Sequence, residues 1–194
     1  MQPAQIFEKL QAEGVAGLLE FAEGPIDPSI LVEPDKLQEV LSVLKEHDDL
    51  RFDQLSLLSG VPYEDRFECV YHLLSTVLKH AIVLRVKLDA QEPSVPTAST
   101  VHPTADWHER ETFDLVGIRF EGHPDLRRIY LPEGWVGHPM RRDYVDPEEF
   151  QGIPLTDVKR EEWEAEEKAA KAAAAEGAAS EEAAGSGSDG KAEG

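Results

Sequence analysis

The sequence predicts an α+β fold: a small, mostly antiparallel sheet covered by helices, then an extended partner-wrapping segment, then a disordered carboxy-terminal tail. Three observations carry that expectation. Apolar and polar residues alternate along runs between 52 and 88, the period of strands with one covered and one wetter face. Stripes of helical period fall at 34–47 and 103–116, where helices can cover such a sheet. Past Gly117 the periodicity gives way to Pro, Gly and aromatics, and past about residue 160 to Ala, Glu, Lys, Gly and Ser. The chain accordingly divides into an N-terminal helical segment (1–28), an α+β domain (29–117), an extended interaction segment (118–159) and a tail (160–194).

In chain order, residues 5–22 read as one helix with Ile6, Leu10, Leu18 and Leu19 as apolar marks, interrupted near Gly14 and Gly17. Gly24-Pro25-Ile26-Asp27-Pro28 breaks the chain. Ile30-Leu31-Val32 suits a short strand. Pro34 opens the clearest helix of this half, with Leu37, Val40, Leu41 and Leu44 at i, i+3, i+4 and i+7. Phe52, Leu55, Leu57 and Leu58 mark the next strand, closed by Gly60 and Pro62. Phe67, Cys69, Tyr71 and Leu73 alternate along a second. In the third, Ile82, Leu84, Val86 and Leu88 point one way and Val83, Arg85 and Lys87 the other. The loop at 89–98 is too proline-rich for a central strand; it is either a surface connection or a strap along a neighbouring surface.

The helix at 103–116 is the element the rest is organised around. Pro103 and Thr104 start it, Asp106 places a carboxylate in its first turn, and Gly117 is positioned to end it in a left-handed cap. Trp107, Arg110, Glu111, Asp114 and Leu115 share one of its faces. Such a face is a poor core face. Two readings fit it: a contact surface whose charges find partners, or a solvated helix with internal ion pairs.

Beyond it, Gly-His-Pro occurs twice, at 122–124 and 137–139, each followed closely by arginines. Trp135, Tyr144 and Phe150 lie in a segment with no evident core of its own, which suits chain laid on a partner. Within 107–144 every basic side chain is an arginine, the cation favoured at buried interfaces because its planar head bonds carboxylates at two points and stacks on rings. The competing reading is a set of exposed ion pairs of little energetic value. The run 161–175 has strong helix formers, but 160–194 as a whole reads as solvated and without chemistry of its own.

Composition excludes several function classes. A net charge of −20 argues against unaided binding to nucleic acid or an anionic lipid surface. Cys69 is the single cysteine, so no disulfide framework and no thiolate-only zinc or iron–sulfur site is available. No apolar run reaches the length of a membrane span, and the residues after Met1 lack a secretory or transit pattern, which suits a reducing cytoplasm. There is no phosphate-binding glycine loop. Asp106, Glu109, Glu111 and Asp114 could pose as an acid/base set, and His102, His108, His123 and His138 as metal ligands. Each of those histidines sits by a proline or on a polar helix face, without a cysteine or the spacing of a zinc helix. No catalytic, cofactor-binding or metal site is expected.

One long ordered string carries a resemblance. Glu109-Arg110-Glu111, Asp114-Leu115-Val116-Gly117-Ile118, His123, Arg127-Arg128-Ile129, Leu131-Pro132-Glu133-Gly134-Trp135 and Gly137-His138-Pro139-Met140-Arg141-Arg142-Asp143-Tyr144 resemble the signature of the C subunit of respiratory NADH:quinone oxidoreductase, complex I. Val116, where that family often has an aromatic, and Tyr130, where an aliphatic is commoner, depart from it. The resemblance implies a cofactor-free member of the hydrophilic arm, bound to the D and B subunits near the quinone end, with other hydrophilic-arm subunits beside it. The complex it implies uses NAD, FMN, iron–sulfur clusters and quinone and couples electron transfer to proton translocation. This chain would then be peripheral to the cell membrane on its cytoplasmic side, attached only through the complex.

The partner interface expected on that basis comprises Trp107, Glu109, Arg110, Glu111, Asp114, Arg119, His123, Arg127, Arg128, Trp135, His138, Arg141, Arg142 and Tyr144. Arg110, Glu111 and Asp114 are expected to form charge-assisted bonds with the larger partner. Three other functions remain open: the equivalent component of a related membrane-bound hydrogenase or dehydrogenase, a free-standing cytoplasmic binding protein, and a small metal-dependent hydrolase.

Overall fold

The computed structural model describes residues 1–24, 27–155 and 168. It begins with helix α1 (Pro3–Ala12), strand β1 (Leu18–Ala22) and strand β2 (Ser29–Val32), followed by a 3-10 turn and helix α2 (Leu37–Glu46). Strands β3 (Gln54–Pro62), β4 (Phe67–Ser75) and β5 (His80–Leu88) come next, then β6 (Ser94–Pro96), helix α3 (Ala105–Leu115) and β7 (Arg119–Glu121). All of these lie in one compact unit, Met1–Val145. In the second unit, Asp146–Gly194, a short hairpin pairs β8 (Glu149–Phe150) with β9 (Ile153–Pro154). The tail expected over 160–194 lies outside the described residues, Lys168 excepted.

The alternating runs become the centre of a five-stranded sheet in the order β1-β2-β5-β4-β3. Three of its pairings are antiparallel and β2 joins β5 in parallel, so the expected mostly antiparallel α+β sheet is what forms. Register puts Cys69 opposite Val86, Tyr71 opposite Leu84 and Leu73 opposite Ile82, while Ile30 and Val32 line up with Leu84 and Val86. These side chains share one face and are enclosed with Leu37, Val40, Leu41 and Leu44 of α2 and Ile6 and Leu10 of α1. Each such burial contributes about 1.5–3 kcal/mol. On the opposite face the buried carboxylate of Glu68 lies between Arg66 and Arg85. Burial alone would raise its pKa, but the two guanidiniums outweigh it and hold Glu68 below the usual carboxylate range.

Three expectations are corrected. Residues 5–22 are not one helix. Gly14 and Gly17 adopt φ of +73° and +86°, which a right-handed helix cannot contain, and 18–22 becomes the edge strand β1 against β2. Phe7 stacks on Phe21 at 5.6 Å between centroids and ties helix to strand. The loop at 89–98 contains a strand: β6 pairs in parallel with β7, and both prolines sit at the ends of a two-stranded ribbon, where a missing N–H is tolerated. The segment after Gly117 is not wholly without core, since Ile118 and Phe120 are buried with the sheet residues.

Helix α3 lies across β3, where Gly60 permits the approach: a Cβ there would fall 2.5 Å from Thr112 Cγ2. Gly117 ends the helix at φ +81°, the left-handed cap expected of it. The face shared by Trp107, Arg110, Glu111, Asp114 and Leu115 is divided by the fold. Arg110 and Asp114 are buried, whereas Trp107 is 64% exposed.

Candidate partner-binding surface

The carboxyl end of α3 is where the signature residues meet. Asp114 is fully buried. Its Oδ2 accepts the backbone N–H groups of Ile129, Tyr130 and Leu131 at 2.9, 2.7 and 3.0 Å, and its Oδ1 faces Arg128 Nη1 at 3.3 Å. Arg128 continues to the Gly137 carbonyl at 3.1 Å. One carboxylate thus fixes a turn of backbone that has no regular structure to satisfy it.

The last carbonyls of a helix have no partners within it. Here residues 138–141 supply them. His138 Nδ1 donates to the Asp114 carbonyl at 2.9 Å, and the Met140 N–H donates to that of Leu115 at 2.9 Å. Arg141 donates to Val116 at 2.7 Å and to Gly117 at 3.1 Å, placing a cation at the negative helix end. The same guanidinium lies over the Phe67 ring, 5.0 Å from its centroid. Burial, with Arg141 and Arg128 nearby, lowers the His138 pKa despite the Asp114 carbonyl, so the ring is a neutral donor. A Cβ on Gly117 would meet His138 and Arg141 at 2.5–2.6 Å, a second reason for glycine there.

Further up the helix, Glu109 is also fully buried and accepts the Ala98 N–H at 2.6 Å and the Thr97 hydroxyl. Burial raises its pKa to about 7, Asp106 adding to the rise, while the Thr97 and Ala98 bonds oppose it. His123, its side chain wholly enclosed, lies 3.8 Å from Glu109 and 3.4 Å from Asp106. Arg110 is turned toward Trp107, 4.8 Å from the ring centroid, and toward the Arg127 carbonyl and Asp125. Trp135 donates to the Tyr144 hydroxyl at 3.1 Å.

The fourteen residues expected at an interface therefore separate into two groups. Glu109, Arg110, Asp114, Arg128, His138 and Arg141 bind this chain to itself, and His123, Trp135 and Tyr144 join them. Trp107, Glu111, Arg119, Arg127 and Arg142 retain accessible side chains, with Arg127 on Asp125 and Arg142 3.6 Å from Glu64. Asp114, expected to bond a partner together with Arg110 and Glu111, has its carboxylate enclosed by this chain.

Sequence reasoning missed three apolar side chains that the tethers hold outward: Tyr130, Val136 and Met140 are 64%, 74% and 58% exposed. Their flanks are Asp114-bound backbone, the Arg128-bound Gly137 and the helix-capping N–H of Met140 itself, so one anchored loop presents all three. For Val136 and Met140 the signal available was a large apolar residue beside a Gly or Pro with no period to bury it. Beside this loop, a cleft of about 750 Å³ is walled by Gln91, Ser94, Arg119, Phe120, His123 and Arg141 among others. Among the described residues no group of three or more His, Cys, Asp or Glu is placed to hold a metal ion, and no helix is long and apolar enough to cross a membrane.

A family model described as respiratory-chain NADH dehydrogenase, 30 Kd subunit, matches residues 30–151. The chain is 45% identical over 143 residues to the C subunit of NADH-quinone oxidoreductase from Roseiflexus sp. (strain RS-1), covering 72% of this chain and 82% of that one. It is 50% identical over 116 residues to the C 2 subunit of NADH-quinone oxidoreductase from Rhizobium meliloti (strain 1021), covering 58% and 63%. Among solved structures, the trypsin-resistant fragment (1–134) of Nqo5 superposes with a TM-score of 0.51 at 26% identity, over 65% of this chain and all of that one. A chain of the membrane-bound sulfane sulfur reductase, an archaeal respiratory membrane complex, gives a TM-score of 0.57 over 74% of this chain and 86% of its own; at 21% identity that likeness is one of fold.

Proposed function

This chain belongs to the family of the 30 Kd subunit of respiratory-chain NADH dehydrogenase, and on that premise we propose that it is a structural component of the hydrophilic arm of a proton-translocating NADH:quinone oxidoreductase. It carries no cofactor of its own and braces the D and B subunits, which hold the terminal iron–sulfur cluster and the quinone site. NAD, FMN, iron–sulfur clusters and quinone belong to the other subunits. The chain sits at the cytoplasmic face of the cell membrane through the complex alone.

The observation that carries this reading is the use made of the signature. Its buried charged residues stabilise an irregular loop against α3, and the loop holds Tyr130, Val136 and Met140 in water. Exposed apolar side chains on an anchored loop, with Trp107 and Arg127 nearby on the Arg110 side, have the composition of an interface centre.

The test is recovery of the tagged chain from detergent-solubilised native membranes. Wild type is expected to bring down the D and B subunits with iron–sulfur subunits. The double variant Tyr130→Ser/Val136→Ser should lower that recovery about ten-fold, equivalent to roughly 1.4 kcal/mol, without changing the melting temperature of the isolated chain. Recovery of the wild-type chain alone, from the soluble fraction, would overturn the reading.

A further inference from the structure

We propose that Asp106, Glu109 and His123 form a proton-linked switch in which the His123 N–H changes carboxylate partner beneath the neighbouring cleft. The switch is independent of the assembly role above.

The tautomer comes first. His123 Nδ1 accepts the Asp125 N–H at 3.0 Å, so the proton of the neutral ring is on Nε2. That nitrogen faces the Asp106 carbonyl at 3.3 Å, Asp106 Oδ1 at 3.4 Å and Glu109 Oε2 at 3.8 Å. A single N–H therefore stands between two carboxylates and is within hydrogen-bond distance of only one residue. Asp106 Oδ1 is itself buried and has no hydrogen-bond partner. The arrangement has two ways to close.

The surroundings leave the choice to Glu109. Thr97 and Ala98 supply one donor to each of its oxygens. From β4, Cys69 and Tyr71 face it, and burial raises both groups so that neither is charged. Arg110 of its own helix is turned away to Trp107, the Arg127 carbonyl and Asp125, and Arg127 is held by Asp125. No lysine or arginine ion-pairs with Glu109 or Asp106 among the described residues. A protonated Glu109 leaves His123 with Asp106. Once Glu109 releases its proton to solvent, the unscreened negative charge draws the Nε2–H across the remaining gap. The pKa of Glu109, raised to about 7 mainly by burial, means both forms are present near neutrality. His123 belongs to the segment that lines the cleft with Phe120, Gly122 and Leu126, and its enclosed ring lies beneath that wall.

The test is a heteronuclear magnetic resonance titration of the full chain between about pH 5.5 and 8.5. The Ala98 amide and the His123 ring nitrogens are expected to shift together, with one midpoint near 7. Glu109→Gln should abolish that shared step. Thr97→Val, which removes a donor to the ionised form, should raise the midpoint by about half a pH unit or more and supplies the same test if the Gln variant does not fold. Separate midpoints for Ala98 and His123, a step that survives Glu109→Gln, or a midpoint unmoved by Thr97→Val would each overturn the proposal.

Discussion

The sheet formed by β2 to β5 and the loop at 123–144 are both ordered, but by opposite means. The sheet is held by what its side chains hide: Ile30, Val32, Tyr71, Leu84 and Val86 are all fully enclosed. The loop has no buried large apolar side chain. It is held by polar tethers to one helix end, three N–H groups on Asp114 and the four carbonyls of 114–117 satisfied by His138, Met140 and Arg141. Apolar burial distributes its stabilisation over many contacts, whereas a carboxylate with several donors concentrates it in one residue.

That contrast is open to attack from either side. Asp114→Ala is expected to have the largest effect, on the order of 3–5 kcal/mol, because it strands three N–H groups and a guanidinium together. The loss should be local: hydrogen exchange should accelerate at 128–131 and leave β4 and β5 protected. Equal deprotection of the sheet would show that the two regions are not separately held.

Leu84→Ala, worth about 3 kcal/mol, should do the reverse. It opens a cavity at the centre of the sheet, lowers the melting temperature of the whole unit and leaves no excess exchange at 128–131. An effect of similar size, on the order of 3 kcal/mol, comes from pH. The Glu109 pKa is raised in the folded chain from 4.5 to about 7, so the folded state binds the proton more tightly. The corresponding stability is fully present below about pH 4.5 and is lost as pH rises through about 7. Urea unfolding of wild type against Glu109→Gln should show that slope in wild type only; parallel curves would remove Glu109 as its source.

The same contrast explains what could be read from the sequence. Ile82, Leu84, Val86 and Leu88 announce β5 because alternation is the imprint of burial on one face. Leu18 and Leu19 misled because they continue a helical spacing, and only pairing with β2 makes them strand. The strand β6 escaped notice because its partner does not begin until Arg119, and a parallel ribbon of three residues leaves no local pattern. At the signature, residue identity was legible and residue use was not. Asp114 and His138 were expected to face a partner, yet apart from Arg128 on Asp114 their hydrogen-bond partners are backbone N–H and C=O groups, which no pattern of side chains reveals. The left-handed Gly117 was foreseeable, since few other residues end a helix that way.

The capping of α3 from residues 138–141 has a consequence for how the protein is made. A chain emerging from the ribosome presents Asp114 through Gly117 before His138, Met140 and Arg141 have left the exit tunnel. At about 5–20 residues per second, the nascent helix spends on the order of seconds with its last carbonyls bonded only to water. Biogenesis is therefore ordered: the sheet can close once β5 has emerged, whereas the helix end and the loop mature together afterwards. A chain truncated before residue 138 would retain the sheet while leaving that helix terminus permanently unfinished.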